Sequence, residues 1–238
     1  EDGTNFRRLI QIFHTICETI DFAHSLGVLH RDLKPENVMI GPFGEVLVVD
    51  WGIAKVMGTV EKLVEDSIQT DRSLNDPFLT QMGMVSGTPS YMSPEQARGS
   101  IDKIGPCSDI YTLGAILYEI LTDYPPFTGT SALDILDKVK NTSPPSLFGT
   151  NTTSIDLSSK DILSKEPKAL HSVSKIPSPL IYICEKAMQR EIKNRYHSVH
   201  EIQKEIFDWL EGAQKKEKAL KEVEKAKVSL KRAEESLE

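Results

Sequence analysis

The chain has 238 residues, of which 39% are hydrophobic and 26% are charged, a composition typical of a globular protein. No apolar run approaches the roughly 18 residues that a membrane-spanning helix needs, so the sequence predicts no crossing of a bilayer. The net charge of −7 is uneven, because residues 212–238 hold eight basic and six acidic side chains, a net +2, which leaves −9 for residues 1–211. An acidic body argues against nucleic acid as the main partner.

The three cysteines, Cys17, Cys107 and Cys184, are scattered and lack the Cys-x-x-Cys spacing of zinc sites. This pattern predicts a reduced, cytoplasmic setting and argues against bound zinc. Cys17 and Cys184 have apolar neighbours, so we expect them to be packing residues. The chain starts with Glu1 instead of methionine and has no signal-like apolar segment, which we interpret as a truncated start.

The first 25 or so residues predict an amphipathic helix that ends near Gly27. Its apolar residues recur at spacings of three and four: Phe6, Leu9, Ile10, Phe13, Ile16, Cys17, Ile20 and Ala23. After Val28 and Leu29 comes a polar loop at 30–37. Residues 38–40 and 45–49 then predict two short strands of a hairpin, with a glycine-containing turn at 41–44.

The rest of the body predicts a mainly helical structure. Residues 58–82 are polar and irregular, whereas 109–121 are apolar nearly all round, as in a central buried helix. Residues 141–179 are rich in Ser, Thr and Pro, so we expect a long surface insertion there. Helical patterns return at 180–188 and at 199–210.

The last segment, 212–238, predicts a charged helix. Its apolar residues alternate steps of four and three, as in a short coiled coil: Ala219, Val223, Ala226, Leu230, Ala233 and Leu237. The repeat covers less than three heptads, so two interpretations stay open. The segment is either a single solvated helix that continues the last helix of the body, or a pairing helix for self-association.

The most informative stretch is His-Arg-Asp-Leu-Lys-Pro-Glu-Asn at 30–37, followed by Asp50-Trp51-Gly52. Carboxylate and amide oxygens, with one ammonium group, suit a magnesium-bound phosphate that is passed to a hydroxyl. Lone Asp and Asn residues near glycines more often form turns. Eight consecutive residues that match the motif of a known family, with Asp-x-Gly at that family's usual distance, argue against the turn interpretation.

These motifs resemble the catalytic loop of the eukaryotic-type (Hanks-type) serine/threonine protein kinases, in a bacterial style. The resemblance covers about residues 5–211. It implies an α+β, mainly α, protein kinase-like fold, with only the large C-terminal lobe and its catalytic hairpin present. The sequence has no glycine-rich phosphate loop and no Val-Ala-Ile-Lys strand, so we expect the small N-terminal lobe to be missing and this fragment alone to have little activity.

The resemblance implies a role for each residue of the loop. Asp32 would orient the incoming hydroxyl, and Lys34 would contact the γ-phosphate of ATP; the Lys at this position is typical of the serine/threonine-specific form. Asn37 and Asp50 would hold magnesium, or manganese in its place. The nucleotide-binding residues that it implies are Lys34, Glu36, Asn37, Met39 and Asp50, with Met39 under the adenine ring.

The run from Gly87 to Glu95 resembles the end of a kinase activation segment, which would span residues 50–95. Thr88 would then contact Asp32 and Lys34 and close the site around a Ser or Thr hydroxyl. Glu95 would pair with Arg195, and Asp109 would anchor the catalytic loop from the central helix. The residues with an implied supporting role are His30, Trp51, Gly52, Glu95, Asp109 and Arg195.

Regulation by phosphorylation is a further expectation. Arg31 and Lys55 would form a cationic pocket for a phosphothreonine, and Thr80 aligns with a phosphorylated Thr of bacterial kinases. Autophosphorylation at Thr80 is the leading hypothesis, with Thr70, Ser73 and Ser86 as lesser candidates, and an unmodified hydroxyl is the alternative.

Two other functions stay open at this point. One is a pseudokinase or binding module, against which the intact Asp32, Lys34, Asn37 and Asp50 argue. The other is an assembly protein that works through 212–238. The enzyme interpretation predicts ATP, magnesium and Ser/Thr-containing proteins as the reaction's components.

Overall fold

The computed structural model describes residues 2–51, 55–56, 89–147 and 176–235, with side chains placed for 5–51, 89–147 and 176–227. This part of the chain is mainly helical, as the sequence predicts, and has two small antiparallel sheets, of which only the hairpin was predicted. The helices are α1 (Asp2–Ser25), α2 (Pro94–Ala97), α3 (Pro106–Thr122), α4 (Ala132–Asn141), α5 (Ser178–Ala187) and α6 (Val199–Glu235). The strands are β1 (Val28–Leu29), β2 (Val38–Ile40), β3 (Val46–Val48) and β4 (Lys55–Val56).

Helix α1 follows its apolar period closely. Seven of the eight predicted side chains are buried: Phe6, Ile10, Phe13, Ile16, Cys17, Ile20 and Ala23. The helix ends where Gly27 takes a φ of +75°, a left-handed conformation that glycine adopts without steric cost. This end directs β1 into the polar loop at 30–37.

Helix α3 is the centre of the main core. It begins at Pro106, three residues before the predicted start, because proline at the first helical position needs no hydrogen-bond partner for its nitrogen. Most of its length is buried, and it packs against α5, whose Cys184 is also fully buried. The packing role predicted for Cys17 and Cys184 is therefore confirmed.

The strands near the polar loop form two small sheets: β1 precedes the loop, and β2, β3 and β4 follow it. Strands β2 and β3 form the predicted hairpin, with Val38 opposite Val48 and Met39 opposite Leu47. Strands β1 and β4 also pair, with Val28 opposite Val56. This second pairing was not predicted, since two-residue strands leave no periodic signal.

Helix α4 was also not predicted. It begins after Ser131, whose hydroxyl accepts a hydrogen bond from the Asp134 backbone nitrogen. Its apolar face and α2 form a smaller second core, made of Ala97, Phe127, Ile135, Leu136 and Val139. Of the insertion predicted at 141–179, residues 148–175 lie outside the described part.

Helix α6 is one continuous helix of 37 residues. It contains the predicted helix at 199–210 and runs on, without a break, into the charged segment that starts at 212. Its first half packs against α1, where the rings of Phe6 and Trp209 meet edge to face at 6.2 Å. Among the described residues, no helix is both long enough and apolar enough to span a membrane.

Candidate active site

The polar loop at 30–37 is held in a compact shape by its own backbone. Pro35 starts a 3-10 turn, Pro35–Asn37, that leads directly into β2. The Asn37 backbone nitrogen donates to the Lys34 carbonyl oxygen at 2.9 Å. Arg31 takes a φ of +70°, which is uncommon for a residue other than glycine. This geometry turns the chain sharply just before Asp32.

The side chains of Asp32, Lys34 and Asn37 meet at one point. Lys34 Nζ donates to Asp32 Oδ2 at 2.7 Å. Asn37 Nδ2 donates to the Asp32 backbone oxygen at 2.7 Å and lies 3.4 Å from Asp32 Oδ2. Asn37 is buried, whereas the Asp32 and Lys34 side chains are partly exposed. A carboxylate that faces solvent is thus held rigidly beside one ammonium group.

The hairpin brings Asp50 close to this group. The Val49 backbone nitrogen donates to the Asn37 carbonyl oxygen at 2.9 Å, so the residue next to Asp50 is hydrogen-bonded to Asn37. Asp50 takes a φ of +63° and is exposed. Asp and Asn tolerate this left-handed conformation better than most residues. Asn37 therefore lies next to the residue that precedes Asp50, and the same asparagine contacts Asp32.

The outward face of the hairpin is apolar next to these polar groups. Met39 and Leu47 lie opposite each other, 57% and 58% exposed, whereas Val38 and Val48 turn towards the core. Met39 was a predicted nucleotide-binding residue, but Leu47 was not. The alternation of side chains along a strand could have found Leu47, since residues 46 and 48 face inward.

Asp109 is a buried anchor for the loop. Its Oδ2 accepts from the His30 backbone nitrogen and its Oδ1 accepts from the Arg31 backbone nitrogen, both at 2.9 Å. The Nε2 of His24 also lies 2.8 Å from Asp109 Oδ2. The loop contact matches the expectation for Asp109, whereas His24 was not predicted.

The side chains of His30 and Trp51 pack against each other next to the end of β3. His30 Nε2 lies 3.1 Å from the Val49 carbonyl oxygen, and its ring is 4.6 Å from the ring of Trp51. The Trp51 indole nitrogen donates to the Val48 carbonyl oxygen at 2.9 Å. Both contacts act on the residues just before Asp50, so these two rings fix the end of the hairpin.

Glu95 and Arg195 form a buried, bidentate ion pair. Arg195 Nη1 lies 2.7 Å from Glu95 Oε1, and Nη2 lies 2.9 Å from Oε2. The Ser108 hydroxyl also donates to Glu95 at 2.8 Å. Burial alone would raise the pKa of Glu95, but the hydrogen bonds and charge of Arg195 hold that pKa below its usual value.

Helix α2 connects this ion pair to the loop. Ser93 and Gln96 form a capping box at its start. Gln96 Nε2 also donates to the Arg31 carbonyl oxygen at 2.6 Å. With the Asp109 contact, both peptide groups of Arg31 are therefore held. Gln96 was not predicted, because its partner is 65 positions away.

Tyr91, just before α2, contacts a carboxylate of α3. The Tyr91 hydroxyl donates to Glu119 Oε2 at 2.6 Å. Burial, this hydrogen bond and the negative charges of Glu119 and Glu36 raise the pKa of the Tyr91 phenol well above its usual range. Glu36 itself is exposed on its 3-10 turn.

The donor set at 37 and 50 fits a hard divalent cation such as Mg²⁺. Asn37 uses its amide nitrogen on Asp32, which leaves its carbonyl oxygen for other ligands. No described residue donates a hydrogen bond to the Asp50 carboxylate. Within the described ranges, no group of three or more His, Cys, Asp and Glu side chains could hold a metal. Water and phosphate oxygens would therefore have to complete the coordination.

Several predicted site residues lie outside the described part of the chain. These are Gly52, Thr70, Ser73, Thr80, Ser86 and Thr88. Lys55 is described only as backbone in β4, where it pairs with Leu29. The predicted phosphate pocket of Arg31 and Lys55 therefore stays a prediction.

The comparison with protein families agrees with this geometry. Residues 4–210 match the model of the protein kinase domain. Since the match covers most of the 238 residues, the chain belongs to the protein kinase domain family.

The chain is similar to several bacterial serine/threonine-protein kinases. It is 37% identical over 213 residues to PknD of Protochlamydia amoebophila and 34% identical over 217 residues to PknD of Chlamydia abortus. It is 36% identical over 197 residues to a probable PknB of Lactococcus lactis. These matches cover 88%, 89% and 83% of this chain, but only 19%, 20% and 25% of the relatives. The chain thus spans about a fifth to a quarter of their length.

Proposed function

We propose that this chain carries the catalytic loop of an ATP-dependent serine/threonine protein kinase. The observation that supports this most directly is the contact of Lys34 Nζ with Asp32 Oδ2 at 2.7 Å, beside an Asn37 that is hydrogen-bonded to the same aspartate. Family membership and the names of the bacterial relatives support the same reaction.

In this proposal each polar residue of the loop positions one partner of the transfer. Asp32 accepts a hydrogen bond from the substrate hydroxyl and orients it towards the γ-phosphate. The Lys34 ammonium group neutralises phosphate charge and limits the motion of the Asp32 carboxylate. Asn37 and Asp50 hold Mg²⁺, or Mn²⁺ in its place, which neutralises the phosphate oxygens when bound.

The nucleotide base would lie on the apolar face of the hairpin. Met39 and Leu47 offer a flat, exposed, apolar surface next to Asn37 and Asp50. Glu36, on the preceding turn, would face the ribose side. We assign residues 1–211 to the large lobe of the kinase fold, and the other wall of the nucleotide cleft to a small lobe with a glycine-rich loop.

The substrates in this proposal are Ser or Thr hydroxyls of other proteins. Asp-Leu-Lys-Pro at 32–35 supports this specificity, and a contact of Thr88 with the loop is part of the proposal. As an extension, we propose that phosphorylation of Thr80 activates the enzyme and that Arg31 and Lys55 bind this phosphate. Mass spectrometry of the active enzyme that finds no phosphate on residues 58–88 would refute this extension.

We place the reaction in the cytoplasm. All three cysteines are free, and burial raises the pKa of the Cys17 and Cys184 thiols. Unpaired thiols of this kind are typical of reducing compartments.

The decisive experiment compares wild type with Asp32→Asn in the longest polypeptide that the gene encodes. The substitution should lower phosphate incorporation into a protein substrate by about 10²–10⁴-fold, the usual contribution of a positioned acid–base group. Binding of MgATP should change little. Asp102→Asn, on the exposed turn Ile101–Lys103, is the matched control. Equal phosphorylation by wild type and Asp32→Asn would refute the enzyme and favour a binding module.

A further inference from the structure

The second half of α6 leaves the body of the protein at a defined point. Arg7 Nη1 pairs with Glu217 Oε2 at 2.8 Å, and Arg7 Nη2 donates to the Leu210 carbonyl oxygen at 3.4 Å. From Lys218 to Lys227 every side chain is exposed. Helix α1 therefore contacts α6 as far as residue 217, and the segment beyond that residue projects from the body.

This projecting segment has an apolar stripe on a surface that is otherwise charged. Leu220 is 60% exposed and Val223 is 51% exposed, although both are large aliphatic residues. The helix continues without a break to Glu235. In a heptad register, Val223 and Leu230 therefore occupy position a, and the alanines occupy position d: Ala219, Ala226 and Ala233.

Most of the other residues from Lys218 to Lys227 are charged, and some of them pair within the helix. Lys221 Nζ lies 2.7 Å from Glu217 Oε1, and Lys225 Nζ lies 2.7 Å from Glu222 Oε1. Such pairs between exposed side chains stabilise a helix only slightly. They explain how the segment stays helical, but they do not explain why its apolar residues keep a heptad spacing.

We propose that this stripe pairs two copies of the chain in a parallel, in-register, two-stranded coiled coil. Position g of one heptad faces position e of the next heptad in the other helix. In this register Glu222 of one copy faces Lys227 of the other, and the symmetry repeats the contact. Leu220, also at position e, adds apolar contact at the edge of the stripe.

Charge also selects the parallel orientation. An antiparallel pair that overlaps the whole stripe would place Val223 opposite Ala233 and would bring Lys227 next to its own symmetry mate. Repulsion between these two lysines would destabilise the antiparallel pair. A parallel pair avoids this contact and places both bodies at the same end of the coil.

Sedimentation of the 238-residue chain over a range of concentrations tests the pairing. Wild type should show a concentration-dependent dimer, and Val223→Glu should stay monomeric with unchanged helical circular dichroism of the body. Glu222→Lys and Lys227→Glu should each weaken the dimer about three- to tenfold, because two exposed pairs become repulsive.

The double variant Glu222→Lys/Lys227→Glu should restore wild-type dimerisation, since the charges are then exchanged and still complementary. Glu224→Lys, at outward position b, is the matched control and should leave the dimer unchanged. A wild type that stays monomeric at every concentration, or a double variant that is weaker than both single variants, would overturn the proposal.

Cross-linking tests the orientation. In a Cys107→Ser background, Val223→Cys should form an intermolecular disulfide under mild oxidation, because position a faces its own mate only in the parallel register. The remaining cysteines, Cys17 and Cys184, are buried. A disulfide that forms between Cys at 223 and Cys at 233 of mixed variants, but not between two copies at 223, would refute the parallel arrangement.

Discussion

The Nε2 atom of His24 lies 2.8 Å from Oδ2 of Asp109, although the two residues are 85 positions apart. The Asp109 carboxylate also accepts the backbone N–H groups of His30 and Arg31. Three donors from two elements therefore converge on one buried side chain of α3. This contact joins the last turn of α1 to the loop that carries Asp32.

Asp109→Asn should destabilise the protein and slow the proposed reaction. The amide would turn an N–H group towards one of the three donors, and an unsatisfied buried donor costs about 1–3 kcal/mol. The loop should lose its position, so the turnover rate should fall more than MgATP affinity. Urea unfolding and steady-state kinetics measure the two effects.

Asp123→Asn is the control for this change. Asp123 is exposed and ends α3 with a φ of +63°, a conformation that Asn also adopts. Its free energy of unfolding should stay within experimental error of wild type. Equal stability of Asp109→Asn and Asp123→Asn would contradict the anchoring role.

Arg195→Lys should be strongly destabilising despite the conserved charge. Arg195 makes two hydrogen bonds to Glu95 and donates to the carbonyl oxygens of Gln189 and Cys107. A lysine cannot reproduce this planar set of donors. Breaking a buried pair costs about 3–5 kcal/mol, which urea unfolding would detect. Arg8→Lys, on the exposed side of α1, should have no effect.

The same pair predicts how stability depends on pH. Arg195 holds the folded-state pKa of Glu95 below the ordinary value of 4.5, against the opposing effect of burial. The stabilisation is therefore complete above about pH 4.5 and is lost as the pH falls through the folded-state pKa. The difference in unfolding free energy between wild type and Glu95→Gln should shrink as the pH falls from 6 towards 3. A constant difference over this range would exclude Glu95 as the titrating group.

Trp51→Phe should loosen the end of the hairpin. Phenylalanine keeps an apolar ring beside His30 but loses the hydrogen bond to the Val48 carbonyl oxygen, worth about 0.5–1.5 kcal/mol. Asp50 would then be held less firmly in its left-handed conformation, so MgATP should bind several-fold more weakly. Titration of nucleotide with and without Mg²⁺ measures this. Trp209→Phe is the control, because the Trp209 ring contacts Phe6 of α1, and this variant should bind MgATP like wild type.

Gly114→Ala should separate α3 from α5. An added Cβ would lie 2.7 Å from Met188 Cγ and 2.8 Å from Ala187 Cβ. Overpacking of this kind costs about 1–3 kcal/mol, which outweighs the roughly 1 kcal/mol that alanine contributes through helix propensity. Gly212→Ala meets no atom within 4 Å and should instead stabilise α6. Thermal unfolding of both variants would show opposite signs.

The sequence predicts the elements whose signal is local. Helix α1 keeps its apolar period for about five turns, from Phe6 to Ala23. The turn between β2 and β3 contains two glycines, Gly41 and Gly44. The group formed by Asp32, Lys34 and Asn37 lies within six residues, so its motif is complete in one stretch.

The contacts that neither a local pattern nor the family resemblance contains were missed. His24 contacts Asp109, which is 85 positions away, and Gln96 contacts the loop from 65 positions away. Nothing near either residue marks it as a partner. The pairing of β1 with β4 involves only two residues in each strand. Helix α4 did have a signal, since Ser131 precedes an amphipathic run, but proline-rich sequence on both sides obscured it.

The Glu95–Arg195 pair also affects how the chain can fold during synthesis. The two partners are 100 positions apart, so a nascent polypeptide that has passed Glu95 must wait for that whole distance before the arginine emerges from the ribosome. Until then, closing the core around Glu95 would bury a charge with no counterion. We therefore expect the core around Glu95 to close late in translation. Before that stage, the unfinished core would expose apolar surface of the kind that chaperones bind.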